Sequence, residues 1–184
     1  MCGKAGILCI FTIGEPNNTM HLATSTRFHR TEKRTWSLLD HEGKVLGSLI
    51  KPHWYSSDRE LVVAGGLYAL RAKKRWSSEL ALFFGDVPLW TADLAWDRIR
   101  IMAVQGGTTY ILRRKQWFSN EYHLLDLHGT VRARITTRMN WSDFEREPEL
   151  VATDGEPVEP MLLLFAAHAI HVQHERTAGT AIGA

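Results

Sequence analysis

The sequence predicts a mainly β protein, a closed antiparallel barrel of about twelve strands around a buried C-terminal α-helix. Three observations lead there. Between residues 20 and 140 the chain runs as short apolar or alternating stretches broken by Gly, Asp and Asn signals, with no helical period sustained over three turns. One hairpin recurs: Leu38-Leu39-Asp40-His41-Glu42-Gly43-Lys44-Val45 returns as Leu124-Leu125-Asp126-Leu127-His128-Gly129-Thr130-Val131, with Leu, Leu, Asp, Gly and Val at the same spacing. Finally, Met161 to Val172 holds ten apolar residues in twelve, broken only by His168 and His171. An open sheet of a dozen strands has two edges to hide, and closure removes both. A barrel of that width has an interior to fill, and this apolar segment fills it.

The elements follow in order. Residues 1–19 read as an N-terminal strand or arm. The run Ala5 to Ile13 is β-branched and is followed by Glu15-Pro16-Asn17-Asn18, with no small-x-small cleavage site, which favours a strand over 5–13 above a signal peptide. The barrel domain is expected over 20–178, with strands near 20–28, 34–40, 44–51, 59–64, 67–73, 76–84, 87–92, 97–104, 108–114, 120–126 and 130–137. The turns His41-Glu42-Gly43, Gly65-Gly66, Gly85-Asp86, Gln105-Gly106-Gly107 and His128-Gly129 supply the positive φ that tight hairpins need. Pro52 and Pro88 belong at strand ends or edges. In the repeated hairpin, Asp bonds the backbone two residues on and Gly takes the left-handed position, so both copies should form the same turn. The helix is expected near 160–174, with Leu163, Leu164 and Phe165 inside the barrel, and a flexible tail over 179–184. At about 1.5 Å per residue the apolar run reaches ~18 Å, short of a ~30 Å hydrocarbon core, and being apolar around its circumference it should be enclosed by protein. Units of an aromatic, basic residues and a Trp (Phe28 to Trp36, Tyr68 to Trp76, Tyr110 to Trp117) recur at a spacing of about forty residues, which also suggests a propeller. Three units fall short of the usual four blades, and a propeller leaves the helix without a place.

Composition narrows the class. The 184 residues are 45% hydrophobic and 23% charged with seven Trp, which excludes a disordered or collagen-like chain. The two cysteines, Cys2 and Cys9, can build neither a disulfide scaffold nor a four-thiolate zinc site, so a reducing, cytoplasmic compartment is expected. Net charge is +2, but residues 143 to 159 hold seven acids against Arg146, a local −6 that leaves +8 on the rest. That excess suits an anionic partner.

Two clusters of cations beside aromatics are the candidate site: Arg71, Lys73, Lys74, Arg75 with Trp76, and Arg113, Arg114, Lys115 with Trp117 and Phe118. Basic residues near a charged leaflet contribute ~1 kcal/mol each, and Trp prefers the interface. The same pairing suits nucleic acid, the less expected partner, through phosphate contacts and base stacking, and it also describes ordinary solvated hairpin ends. His168, His171 and His174 stand at i, i+3 and i+6, a spacing that zinc can use, but no His-Glu-x-x-His pattern accompanies them and they read as core or rim histidines. No metal or cofactor is expected. Cys2-Gly3 raises the alternative of an N-terminal-cysteine hydrolase or amidotransferase, with the freed α-amine as base.

Taken together, the meander with its LLDxxGxV hairpins, the Tyr-x-Leu-Arg strands and the terminal segment MLLLFAAHAI resemble the tubby-like superfamily, which includes the tubby C-terminal domain and the phospholipid scramblases. The resemblance covers roughly residues 20 to 175. It implies a twelve-stranded barrel around a C-terminal helix, and phosphoinositide binding or membrane association in several members. The chain departs from the scramblases in lacking their proline-rich N-terminal region, palmitoylated cysteine cluster and membrane-spanning C-terminal segment. The expectation is a monomeric, non-enzymatic binding module, peripheral at a membrane bearing anionic lipid, with a protein-binding scaffold as a further alternative.

Overall fold

Along the strands, alternate side chains face opposite sides, and the inward set is mostly apolar: Leu61, Leu70, Leu82, Ile101, Leu112, Leu124, Ile135 and Val151 are fully buried. A computed structural model of the chain describes residues 24–32, 34–53, 58–72, 79–140, 145–153 and 157–181. Its strands are β1 (Thr24–Glu32), β2 (Thr35–Leu39), β3 (Val45–Ile50), β4 (Arg59–Val63), β5 (Gly66–Ala72), β6 (Glu79–Phe84), β7 (Val87–Leu94), β8 (Ile99–Ala103), β9 (Thr109–Arg114), β10 (Glu121–Leu125), β11 (Val131–Asn140) and β12 (Glu145–Thr153), followed by helix α1 (Pro160–Ala181). Each strand pairs antiparallel with the next, and β1 pairs with β12 to close a twelve-stranded barrel. The expected closed barrel with a C-terminal helix is the fold.

One strand corrects the sequence reading. The expected first strand over 5–13 lies outside the described residues, whereas the twelfth strand, β12, falls in the acidic stretch over 143–159, where no strand was expected. Pro148 explains the miss, because proline donates no ladder hydrogen bond and is excluded from regular central strands. Here it sits at a register shift, where Thr136 pairs with Leu150 but Thr137 pairs with Pro148, so a bulge absorbs it. Val151 and Thr153 face the interior, while Glu149 is exposed and lies 3.9 Å from Arg138 on β11.

The repeated hairpins match in detail. Asp40 Oδ1 accepts from the backbone N–H of Glu42 (2.9 Å) and Lys44 (2.8 Å), and Asp126 Oδ1 accepts from His128 (2.9 Å) and Thr130 (2.9 Å). Gly43 and Gly129 take φ of 85° and 81°, and both hairpins carry a register shift at the second Leu, Leu39 and Leu125. The β4–β5 turn differs from expectation. Its two central residues are Ala64 (φ 50°) and Gly65 (φ 78°), while Gly66 already belongs to β5. Positive φ at both central positions is the type I′ pattern, whose twist suits a two-residue hairpin.

Helix α1 threads the barrel. Residues 162 to 173 are all buried, including Leu163, Leu164 and Phe165, as their uniform apolarity predicts. Its packing against β3 depends on Gly47, where an added Cβ would lie 2.8 Å from Leu164 Cδ1, 2.8 Å from Val63 Cγ2 and 3.0 Å from the Val62 carbonyl oxygen. Strand direction alternates, so the C-terminal ends of the odd-numbered strands share one end of the barrel. The helix follows β12, enters at the opposite end and leaves at this one.

Candidate functional site at the helix exit

Where the helix leaves, its last buried turn meets the ends of β9 and β10. Arg114 and Tyr122 are direct cross-strand partners, so both side chains point inward. The Arg114 guanidinium donates through Nε to the Tyr122 hydroxyl at 2.7 Å and through Nη1 to the Trp117 carbonyl at 3.2 Å. The Tyr122 hydroxyl is hydrogen-bonded in turn to Nε2 of His174 at 2.5 Å, with its ring edge-on to the imidazole. Arg114 Nη2 reaches the same imidazole at 3.2 and 3.3 Å. Gln173, one residue earlier on the helix, donates through Nε2 to the carbonyl of Ala95 in the β7–β8 connection.

Above this network lies a cavity of about 380 Å³. Trp96 and Trp117 flank it, their rings edge to face with centroids 5.8 Å apart. Beyond them the surface is unusually apolar: Trp96 is 73% exposed, Trp117 66% and Phe118 93%. The loop that carries Trp117 and Phe118 is held from below. Ser119 donates its N–H to the Gln116 carbonyl, Lys115 reaches Glu121 at 3.1 Å, and His123 reaches the other Glu121 oxygen at 2.8 Å. Hydrogen bonds from His123 and then Lys115 hold the Glu121 carboxyl below its ordinary range.

A second polar cluster clasps the helix on the side of β2 to β4. Arg59, only 1% exposed, lies with Nη2 3.3 Å from His171 Nε2, and its guanidinium sits over the Trp36 ring at 6.0 Å. Glu175 Oε1 approaches the same nitrogen at 3.2 Å. One imidazole nitrogen either accepts from arginine or donates to the carboxylate, so the tautomer of His171 selects between the two partners. The hydrogen bond from His171, followed by the charges of His171, Arg59 and Lys51, lowers the Glu175 pKa. One turn deeper, His168 is fully enclosed, its ring stacked 6.5 Å from His171. The three helix histidines therefore have three environments: His174 faces Tyr122, His171 faces Arg59, and His168 faces the core.

The sequence candidates are sorted by this geometry. Arg113 is exposed on the outer wall, Arg114 is a half-buried anchor, Lys115 is paired with Glu121, and Trp117 and Phe118 lie open at the rim. Arg71 does not join them. Its guanidinium lies over Phe83 at 4.4 Å and points to Asp86 at 3.9 Å, toward the opposite end of the barrel and across strands β6 to β8 from Arg113. Lys73, Lys74, Arg75 and Trp76 lie outside the described residues, as does Cys2. Trp96, Arg98, Tyr122 and His174 were not read as one site. The available signal was Trp96 in the turn Ala95-Trp96-Asp97, because an indole in a hairpin turn has no core to enter.

No helix among the described residues is long and apolar enough to cross a membrane. No protein-family model and no curated protein matches the chain. Among solved structures, the X-ray structure of a protein from Arabidopsis thaliana is similar, with a TM-score of 0.55 at 11% identity over 84% of this chain and 91% of that one. At that identity the likeness is one of fold: the chain shares its overall architecture with that plant protein.

Proposed function

We propose that the chain is a non-enzymatic binding module that docks on anionic phospholipid headgroups at a membrane surface through the end of the barrel where the helix leaves. The observation that carries the reading is the exposure of Trp96, Trp117 and Phe118 together on two neighbouring loops. Large aromatics in water are costly unless a partner covers them, and indoles favour the headgroup region. Arg98 and Arg113 beside them supply the attraction to anionic lipid. The resemblance to the tubby-like superfamily, several of whose members associate with membranes, supports the same reading. Peripheral attachment at a membrane surface follows from it.

Liposome flotation tests the proposal. Wild-type protein should float with vesicles containing phosphatidylserine or a phosphoinositide and stay in solution with neutral vesicles. Adding salt should release it, because exposed charges are screened beyond ~8 Å at physiological ionic strength. Arg113→Glu should weaken binding at least fivefold, and Trp117→Ser with Phe118→Ser should abolish it with the thermal midpoint unchanged. If the wild type ignores acidic vesicles even at low salt, the reading is wrong and the rim is a protein-binding or merely solvated surface.

A further inference from the structure

The cavity under the two indoles has the size of a small-molecule site, and its chemistry is specific. Pockets of roughly 300 to 1,000 Å³ with apolar walls and a few placed polar groups are the usual form of ligand sites, and this one measures about 380 Å³. Its walls are Trp96, Trp117 and Leu112, and Arg114 faces it from β9. Among the described residues the partners of Arg114 are the Tyr122 hydroxyl, the Trp117 carbonyl and the His174 ring. Among the described residues no carboxylate lies within ion-pair distance of it. Asp97, the acid that lines the pocket, is set 3.9 Å from Arg98 at the mouth. A half-buried guanidinium is thus held rigidly by its neighbours with its charge uncompensated and N–H groups left over on its terminal nitrogens. Its planar fork matches the two oxygens of a carboxylate, and Arg98 and Arg113, which also line the pocket, add to its preference for an anion.

We infer that this pocket binds a small amphipathic carboxylic acid, a medium-chain carboxylate whose acid group meets Arg114 and whose apolar chain lies against Leu112, Trp96 and Trp117. The inference goes beyond docking on a membrane surface, because it concerns a single soluble ligand inside the cavity rather than the outward faces of the rim.

The test uses the unaltered protein and octanoate below its micelle-forming concentration, followed by calorimetry and by tryptophan fluorescence. Octanoate should bind saturably with one site per chain and shift the fluorescence. Across hexanoate, octanoate and decanoate the affinity should rise about fourfold for each methylene that enters the pocket. Octan-1-ol, which has the chain but not the charge, should bind at least tenfold more weakly. Trp117→Ala, on an exposed loop, should weaken octanoate binding with the thermal midpoint unchanged. Because Arg114 also anchors Tyr122 and His174, the alcohol comparison rather than an Arg114 variant isolates the contribution of its charge. Equal affinity for octanol and octanoate would overturn the inference, as would the absence of saturable binding or a Trp117→Ala variant that binds octanoate unchanged. Flotation with vesicles is scored separately, so failure of one reading leaves the other standing.

Discussion

Replacing His168 by leucine isolates what one buried imidazole does to stability as pH falls. His168 is 1% exposed, and neither ring nitrogen has a hydrogen-bond partner among the described residues. Burial first, then the charges of Arg59 on β4 and of His171 on the same helix, push its pKa well below the ordinary 6.5. In the native state the ring therefore stays neutral under conditions where the unfolded chain takes up a proton. The sign follows from linkage: a proton bound only by the unfolded state stabilises that state, so the native stability is complete above pH 6.5 and is lost as pH falls below it. Each unit below 6.5 costs about 1.4 kcal/mol until the native pKa is reached. Relative to His168→Leu, the wild type should lose stability as pH falls through 6.5, at a rate approaching about 1.4 kcal/mol per pH unit for as long as the native imidazole stays neutral. At pH 7.5 the leucine variant should already be more stable, by about 1 to 3 kcal/mol, because it removes buried polar atoms that have no partner. The lowered pKa of Glu175 also contributes stability above pH 4.5 that is lost as pH falls further, but it does so in both proteins and cancels in the difference. The assay is urea unfolding of both proteins at pH 7.5, 6.5, 5.5 and 4.5. Parallel stability profiles across that range would refute the reasoning and mean that His168 titrates alike in both states.

Two further changes test the packing and the turns. Gly47→Ala should cost about 1 to 3 kcal/mol in equilibrium unfolding, since the new methyl meets Leu164, Val63 and the unyielding Val62 carbonyl; an unchanged denaturation midpoint would mean that the helix can shift off β3. Ala64→Asn places Asn-Gly in the type I′ turn and relieves a left-handed alanine at φ 50°, which should raise stability by up to about 1 kcal/mol.

Much of the architecture was legible because its causes are local. Asp40 and Asp126 close their turns on backbone groups two and four residues away, so the repeated spacing alone implies the repeated geometry. The fate of Met161 to Val172 was equally readable, since a segment apolar on every face must be enclosed wherever it lies. β12 was not readable. Its acids and Pro148 argue against a strand, and only the bulge opposite Thr136 and Thr137, together with pairing to β1, reconciles them with one.

The site divides in the same way. The sequence placed Arg113, Arg114, Lys115 and Trp117 at a hairpin end, but it could not tell their roles apart, because the face on which a strand residue lies depends on register, and a slip of one residue reverses it. Register puts Arg114 inside with Tyr122 and leaves Arg113 outside, and it sends Arg71 along the outer wall toward Asp86. The meeting of Arg114 and Tyr122 with His174, about fifty and sixty residues away in sequence, awaits the closing of the barrel around the helix. By itself the sequence determined the strand-rich barrel, the recurring turns and the enclosed helix, all consequences of contacts within a few residues or of bulk apolarity. The strand that closes the barrel against β1, the end at which the helix leaves and the pocket it forms there were decided by the tertiary structure, because each depends on pairing between distant segments that no local pattern encodes.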